Sequence, residues 1–291
     1  MKKKKHIFIH MIFITGCLLI ILPLLIILGS SFQSQQDIAI NGYRIIPKEF
    51  SALSYQMIFK NPTSILNAYG VTAFTTVVGV IISMLLCTSF AYVLSRENYR
   101  YRKILMFYIF FTMLFNGGMV ANYLWIANTL GLKNNIWALI LPTTVSAWNV
   151  MLMKGFLSSV PVSMIESARI DGANELLIYF RIVLPCAKPA LATVALFYAL
   201  TYWNDWYLAL LYIDNDRLLN LQSLLQRILK NIALLNSAEA LNSGMVSKMS
   251  DIPTEGARMA MCIIAAGPML VIFPFFQKYF VQGLTVGSVK G

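Results

Sequence analysis

Apolar residues in this chain come as long uninterrupted runs, not as alternating or one-faced patterns. Six stretches, at about 7–30, 71–94, 104–126, 136–157, 189–213 and 259–280, are each apolar enough to cross a hydrocarbon core. A core of about 30 Å takes about 20 helical residues at about 1.5 Å each. The runs predict helices, because a barrel strand needs about 9 to 11 alternating residues and none of the runs alternates. An all-α integral membrane protein with six transmembrane helices follows, with residues 1–291 as a single transmembrane domain.

Three connections are long. The segment 31–70 is polar, with Gln33, Gln35, Gln36 and Asp37 followed by Pro47 and Pro62, and is expected to cap the bundle on its outer side. The segment 214–258 places Leu218, Leu221, Leu225, Ile228, Leu229, Ile232 and Leu235 on one helical face, away from Gln222, Gln226 and Lys230. That helix either lies on the membrane surface or packs on the bundle, and residues 237–256 suit an exposed loop. In the third segment, 158–188, Pro161 precedes a candidate capping box from Ser163 to Glu166, Asp171-Gly172 signals a turn, and Asn174 can cap a second helix. Pro185 and Pro189 then separate this pair of short helices from the fifth run. A helix, a sharp turn and a second helix read as a docking module.

Composition removes several classes of function. Charged residues make up 12% of the 291 and hydrophobic ones 58%, against about 25% charged in a typical soluble domain. With a mean hydropathy of +0.68, a water-soluble enzyme is excluded. Cys17, Cys87, Cys186 and Cys262 stand singly, without the spacing of a metal site or a disulfide framework. The net charge of +11 would suggest nucleic acid in a soluble protein; here it reports orientation. With Lys2 to Lys5 on the cytoplasmic side, that side collects 14 of the 23 basic residues and 4 of the 12 acidic ones. The positive-inside rule then puts both termini in the cytoplasm. The first run could also be a secretory signal, but its 24 residues exceed the usual 7 to 15 of a signal core, so a retained anchor is expected.

Glu166-Ser167-Ala168, then Gly172, then Ile182-Val183-Leu184-Pro185 resemble the cytoplasmic signature of permease subunits in bacterial binding-protein-dependent ABC importers. The family pattern is Glu-Ala-Ala, three residues, Gly, nine residues, Ile, one residue, Leu-Pro, and Ser167 is the one departure. Physically, small Ser167 and Ala168 allow close approach, Glu166 offers a charge, and Gly172 permits a positive φ. The resemblance implies that Glu166, Ser167, Ala168, Asp171, Gly172, Ile182, Leu184 and Pro185 couple the chain to an ATPase. The rival is a helical hairpin that merely plugs the bundle. Phe115-Asn116-Gly117-Gly118, Leu130-Gly131-Leu132, Tyr202-Trp203-Asn204-Asp205-Trp206 and the tail Gln277-Lys278-Tyr279-Phe280 through Gly287-Ser288-Val289-Lys290-Gly291 look like carbohydrate-uptake permeases. They are most similar to the maltose-type second permease and its relatives that import complex oligosaccharides.

The resemblance implies an ABC importer permease bundle with cytoplasmic coupling helices in the bacterial cytoplasmic membrane. It implies a transport subunit and not an enzyme, with no cofactor of its own. ATP and Mg belong to partner subunits, in keeping with the lack of a Gly-x-x-x-x-Gly-Lys-Ser/Thr run in the sequence. The implied partners are a second, paralogous permease, two ATP-binding subunits, an extracytoplasmic solute-binding protein and membrane lipid, without nucleic acid. Gly287 to Gly291 resemble tails that enter the interface between two ATPases; a disordered end is the alternative.

Polar groups at membrane depth are costly unless they face protein or a water-filled path. Asn116, Tyr123, Asn149, Trp203, Asn204 and Asp205 are therefore candidates for the substrate path, where aromatic rings cover sugar C–H faces and amides or carboxylates satisfy hydroxyls. The competing reading is interhelical hydrogen bonding. At the level of function the alternatives are an ABC permease for a non-sugar solute, an ion-coupled secondary carrier, and a structural or signalling subunit.

Overall fold

The computed structural model describes residues 2–60, 62–235 and 254–288. Among them the regular structure is helical apart from one isolated antiparallel bridge, Gln33 with Phe50. In chain order come α1 (Lys2–Ser30), α2 (Gln35–Asn41), α3 (Leu53–Ile58), α4 (Pro62–Ser95), α5 (Arg102–Leu114) and α6 (Gly118–Tyr123). A π-helical turn, Leu124–Thr129, and two 3-10 turns, Ile136–Leu139 and Leu141–Thr143, lead to α7 (Ala147–Leu157). Then follow α8 (Val162–Ile170), α9 (Glu175–Ile178), a π-helical segment Tyr179–Val183, α10 (Leu184–Cys186), α11 (Lys188–Trp203), α12 (Tyr207–Tyr212), α13 (Leu221–Leu235) and α14 (Thr254–Ser288).

Three of these helices are long and apolar enough to cross a membrane alone, within α1, α4 and α14, and counting three bent pairs as spans gives up to six among the described residues. The bends are a departure from the continuous helices expected over 104–126, 136–157 and 189–213. The third run turns by 117° between α5 and α6, where Gly118 takes φ +83°, a value that glycine adopts without steric cost. The fourth starts as 3-10 turns around Pro142 before α7. The fifth is interrupted between α11 and α12, and an 85° bend precedes it at Ala187. The connection expected over 31–70 is shorter, since α4 already begins at Pro62. Of the stretch expected as an exposed loop at 237–256, residues 254–256 open α14 and the rest lies outside the described residues.

The chain packs as two units, one comprising Met1–Ile65 and Leu224–Pro268, the other Leu66–Ser223 and Met269–Gly291. The first has a polar heart. Gln33 is fully buried and Asp37 nearly so. Gln33 Nε2 donates to Asp37 Oδ2 at 2.9 Å, Asn41 Nδ2 donates to Asp37 Oδ1 at 2.8 Å, and the Lys48 amide donates to Asp37 Oδ2 at 3.2 Å. Gln33 Oε1 accepts the Arg44 amide at 3.1 Å. Two side chains thus stand in for the strand or helix partners that this segment lacks, which is how buried backbone groups avoid a desolvation cost. Phe32 stacks on Phe50 at 5.1 Å and closes the unit beside Tyr55.

In the second unit the main core joins Cys87, Ala91 and Leu94 of α4, Val150, Met153 and Leu157 of α7, and Val194, Tyr198 and Tyr202 of α11. Helices α4 and α11 approach closely because residue 79 is glycine: a Cβ there would stand 2.5 Å from the Tyr202 ring. The Tyr202 hydroxyl lies 2.9 Å from Ser83 Oγ and donates to the Ile140 carbonyl at 3.1 Å. One phenol therefore satisfies α4, α11 and the irregular start of the fourth run. A second cluster gathers Val71, Ala138, Leu139, Ala209, Tyr212 and Ile213.

Gly79→Val should overpack this crossing by about 1–3 kcal/mol and lower the thermal midpoint of the detergent-purified protein, whereas Gly155→Ala, where an added Cβ meets nothing within 4 Å, should leave it unchanged or slightly raised. Equal midpoints for the two variants would contradict the close approach. For Asp37 the sign is that of a stabilised carboxylate. The Gln33 amide, then that of Asn41 and the Lys48 and Glu49 backbone N–H groups, hold its carboxyl below the ordinary value against the opposing push of burial. Its stabilisation is present above the unfolded value and lost as pH falls through the lower folded one. The difference in midpoint between wild type and Asp37→Asn should accordingly shrink below about pH 4; a constant difference down to pH 3 would refute it.

Candidate functional site

The elbow between α7 and α11 is built from local capping chemistry. Helix α8 starts at Val162 with Pro161 at its N-cap and no side-chain cap. The box expected from Ser163 to Glu166 is not formed, because the fixed φ of proline starts the helix and leaves Ser163 inside the first turn. At the other end Ala173 N donates to Ala168 O at 2.9 Å and Gly172 N to Arg169 O at 3.0 Å. These are the two bonds of a Schellman motif, with Gly172 in the left-handed position at φ +82°. Asn174 Oδ1 then accepts the Leu177 amide at 2.8 Å and starts α9.

This turn is fastened from below. Ile165, Ile178, Tyr179 and Val183 are buried in the main core with Leu94 and Leu157, and Ala168, Ile182 and Leu184 pack at its margin. Tyr179 Oη is 2.6 Å from Thr88 Oγ1 of α4. The opposite face is open: Glu166, Ser167, Asp171, Gly172 and Pro185 are exposed. So are Ile170 at 86%, Leu176 at 70% and Met164 at 44%. An apolar patch rimmed by carboxylates on a short rigid hairpin is the kind of surface that proteins bury against a partner.

The six residues proposed for a substrate path are not brought to one place. A cavity of about 580 Å³ in the second unit is lined by Asn116, Asn122, Trp125, Thr143, Tyr207 and Tyr212 among others. Asn116 is the sole member of the six in that lining. Its Oδ1 accepts the Gly118 amide at 2.9 Å and lies 3.4 Å from Asn122 Nδ2. Tyr123 stacks on Tyr212 at 5.7 Å. Asn149 is buried in the first turn of α7, its amide held by Ser146 Oγ at 3.3 Å. Trp203 is buried with its ring 6.4 Å from Tyr69. Asn204 is the C-cap of α11. Asp205 Oδ1 accepts the Leu208 amide at 3.3 Å, at the start of α12, and its Oδ2 is buried with no hydrogen-bond partner among the described residues.

Sequence reading overlooked Asn122, Trp125, Thr143 and Tyr207. The signal was partly there: Asn122 and Trp125 follow Asn116 at intervals of six and three along the interrupted third run, and Tyr207 directly follows the block from Tyr202 to Trp206. Among the described residues no cluster of His, Cys, Asp and Glu is arranged to hold a metal. The C-terminal tail runs helically to Ser288, and residues 289–291 lie outside the described residues.

The family of binding-protein-dependent transport system inner membrane components matches residues 88–286, which include the elbow and the cavity. The polygalacturonan/rhamnogalacturonan transport system permease protein YtcP of Bacillus subtilis (strain 168) is 39% identical over 280 residues, covering 94% of each chain. Protein LplC of the same organism is 38% identical over 271 residues, covering 93% of this chain and 90% of its own. A crystal structure of a bacterial ABC transporter involved in the import of the acidic polysaccharide alginate aligns with a TM-score of 0.78 at 29% identity, over 94% of this chain and 96% of that one.

Removing the Asn116 acceptor should free the Gly118 amide and cost about 1 kcal/mol. Asn116→Ala should therefore lower the thermal midpoint, while Asn116→Ser, whose uncharged hydroxyl oxygen can accept an amide two residues on, should lose less. A neutral Asn116→Ala would show that the break between α5 and α6 does not need this bond.

Proposed function

Because the chain belongs to the family of binding-protein-dependent transport system inner membrane components, we propose that it is one permease half of an ATP-driven importer of carbohydrate oligomers. The cargo class rests on relatives whose names specify polygalacturonan or rhamnogalacturonan transport and on the alginate importer. Those relatives do not favour a non-sugar cargo, and the family does not favour an ion-coupled carrier. ATP hydrolysis resides on two separate subunits, a second permease completes the bundle, and an extracytoplasmic binding protein delivers the sugar. Six spans with both termini in the cytoplasm place the elbow on the ATPase side.

One observation carries the reading: the elbow presents Glu166, Ser167 and Asp171 outward beside exposed Ile170 and Leu176, on a turn fixed by Gly172. Glu166 would pair with basic groups of the ATPase while the apolar residues fill its groove. Ile182 and Leu184 hold the exit from the elbow in the core, and Pro185 follows them. Closure of the ATPases on ATP favours one arrangement of the permease pair, and the loaded binding protein must prefer that arrangement too, since a ligand shifts populations only by its differential affinity. Within the chain, the cavity has a size suited to a few sugar units. Trp125 and Tyr207 offer apolar faces there, and Asn116, Asn122 and Thr143 offer hydrogen bonds to hydroxyls.

The test is uptake by the reconstituted assembly. Wild type should accumulate a labelled oligosaccharide in liposomes with ATP and the binding protein present. Gly172→Pro, which cannot take the left-handed φ, should insert and fold yet lose at least about tenfold in ATP-driven uptake, corresponding to about 1.4 kcal/mol of lost coupling. Normal uptake by this variant would overturn the docking role.

A further inference from the structure

The elbow carries a further carboxylate, Glu175. It is the first residue of α9, its side chain is about half exposed, and both of its oxygens are held. Its Oε1 accepts from Arg169 Nη2 at 2.6 Å and from Arg169 Nε at 3.0 Å, across the Gly172 turn. Its Oε2 accepts the Tyr92 hydroxyl at 2.6 Å. Tyr92 is a buried residue of α4, its ring lies 5.0 Å from that of Tyr179, and the Arg96 guanidinium sits 4.2 Å over its face. One side chain therefore joins α8, α9 and α4. The bond from buried Tyr92 is charge-assisted and of the stronger class; the Arg169 arm is about half exposed and screened, and contributes direction more than energy. The Glu175 carboxylate also stands at a helix start, where amide dipoles favour negative charge.

The nearby bond between Thr88 and Tyr179 joins α4 to the segment after α9 but does not reach α8. Ile165 holds α8 to the core through apolar contact, which resists separation yet tolerates sliding. An element that transmits a push must not slide. We propose that Glu175 is a positioning residue which, through Arg169 and Tyr92, locks the docking helix α8 to the inner end of α4, so that the elbow and α4 move as one body. The inference rests on the docking reading of the elbow and adds to it the path by which displacement of α8 reaches a spanning helix.

With the exposed native thiols Cys17, Cys186 and Cys262 replaced by serine, spin labels on cysteines introduced at exposed Ser163 of α8 and exposed Leu86 of α4 report the relation directly in the full assembly in nanodiscs, without nucleotide and after trapping with ATP and vanadate. In wild type one narrow distance distribution should persist in both states. Tyr92→Phe, which deletes a single hydroxyl, and Arg169→Gln, which cuts the other arm, should each broaden it by at least about twofold and make it change on trapping, as expected when one state splits into several of similar energy. Thr88→Val, which removes a comparable buried bond from the same interface, should keep the narrow distribution. The clamp is overturned if Tyr92→Phe and Arg169→Gln stay as narrow as wild type, or if Thr88→Val broadens equally. Failure of wild type to retain its ATP-binding subunits would instead defeat the docking reading, and the nucleotide-free distances would still decide the clamp.

Discussion

Hydrocarbon offers no partner to a backbone amide or carbonyl, so the groups freed where a spanning helix is interrupted must find partners within the protein. The interruptions in this chain follow that constraint. Asn116 Oδ1 holds the amide of Gly118 where the third run turns, Ser146 Oγ holds that of Asn149 at the start of α7, and Asp205 Oδ1 holds that of Leu208 at the start of α12. The Tyr202 hydroxyl takes up the carbonyl of Ile140. Asn134 accepts the amides of Asp214 and Asn215 and so ties the link before the fourth run to the end of the fifth. Polar residues inside apolar runs are here, first of all, the closures that allow those runs to bend.

The bends open a cavity whose lining carries no charged residue. A straight bundle of apolar helices would fill its own centre; the turn of the third run and the irregular start of the fourth leave the cavity beside Asn116, Asn122 and Tyr207. At the other end of the chain's logic is the elbow, where the same devices, a left-handed glycine and an asparagine cap, serve stiffness and not curvature. Gly172 and Asn174 make a hairpin whose inner face is core and whose outer face is apolar and acidic. Function then follows from how firmly one end is held relative to the other.

Legibility in the sequence divided along physical lines. The elbow could be read because its determinants are local: a glycine after a short helix, an asparagine before the next, and prolines beyond. The location of the apolar runs was legible from hydropathy, but their bends were not, since a run averages over about 20 residues and a break of three residues at Phe115–Gly117 leaves that average untouched. The start of α8 was misplaced because Ser163 and Glu166 have capping-box spacing while Pro161 had already begun the helix. Burial of Gln33 and Asp37 was hidden too, since a polar segment outside the spans gives no sign that its amides and carboxylate face inward. Among the path candidates, Asn149 lies in the first turn of α7 and Asp205 just ahead of α12, where its Oδ1 takes the Leu208 amide; an aspartate in an apolar run looks alike in sequence whether it faces a ligand or the backbone.

The central claim is that the exposed face of the elbow is gripped by a separate ATP-hydrolysing subunit. It is tested most directly by photocrosslinking from position 170 in native membranes, where Ile170 is 86% exposed. A crosslinked product containing an ATP-binding polypeptide, lost when the partner subunits are deleted, is the predicted result. Crosslinks confined to lipid or to this chain's own helices would contradict the account.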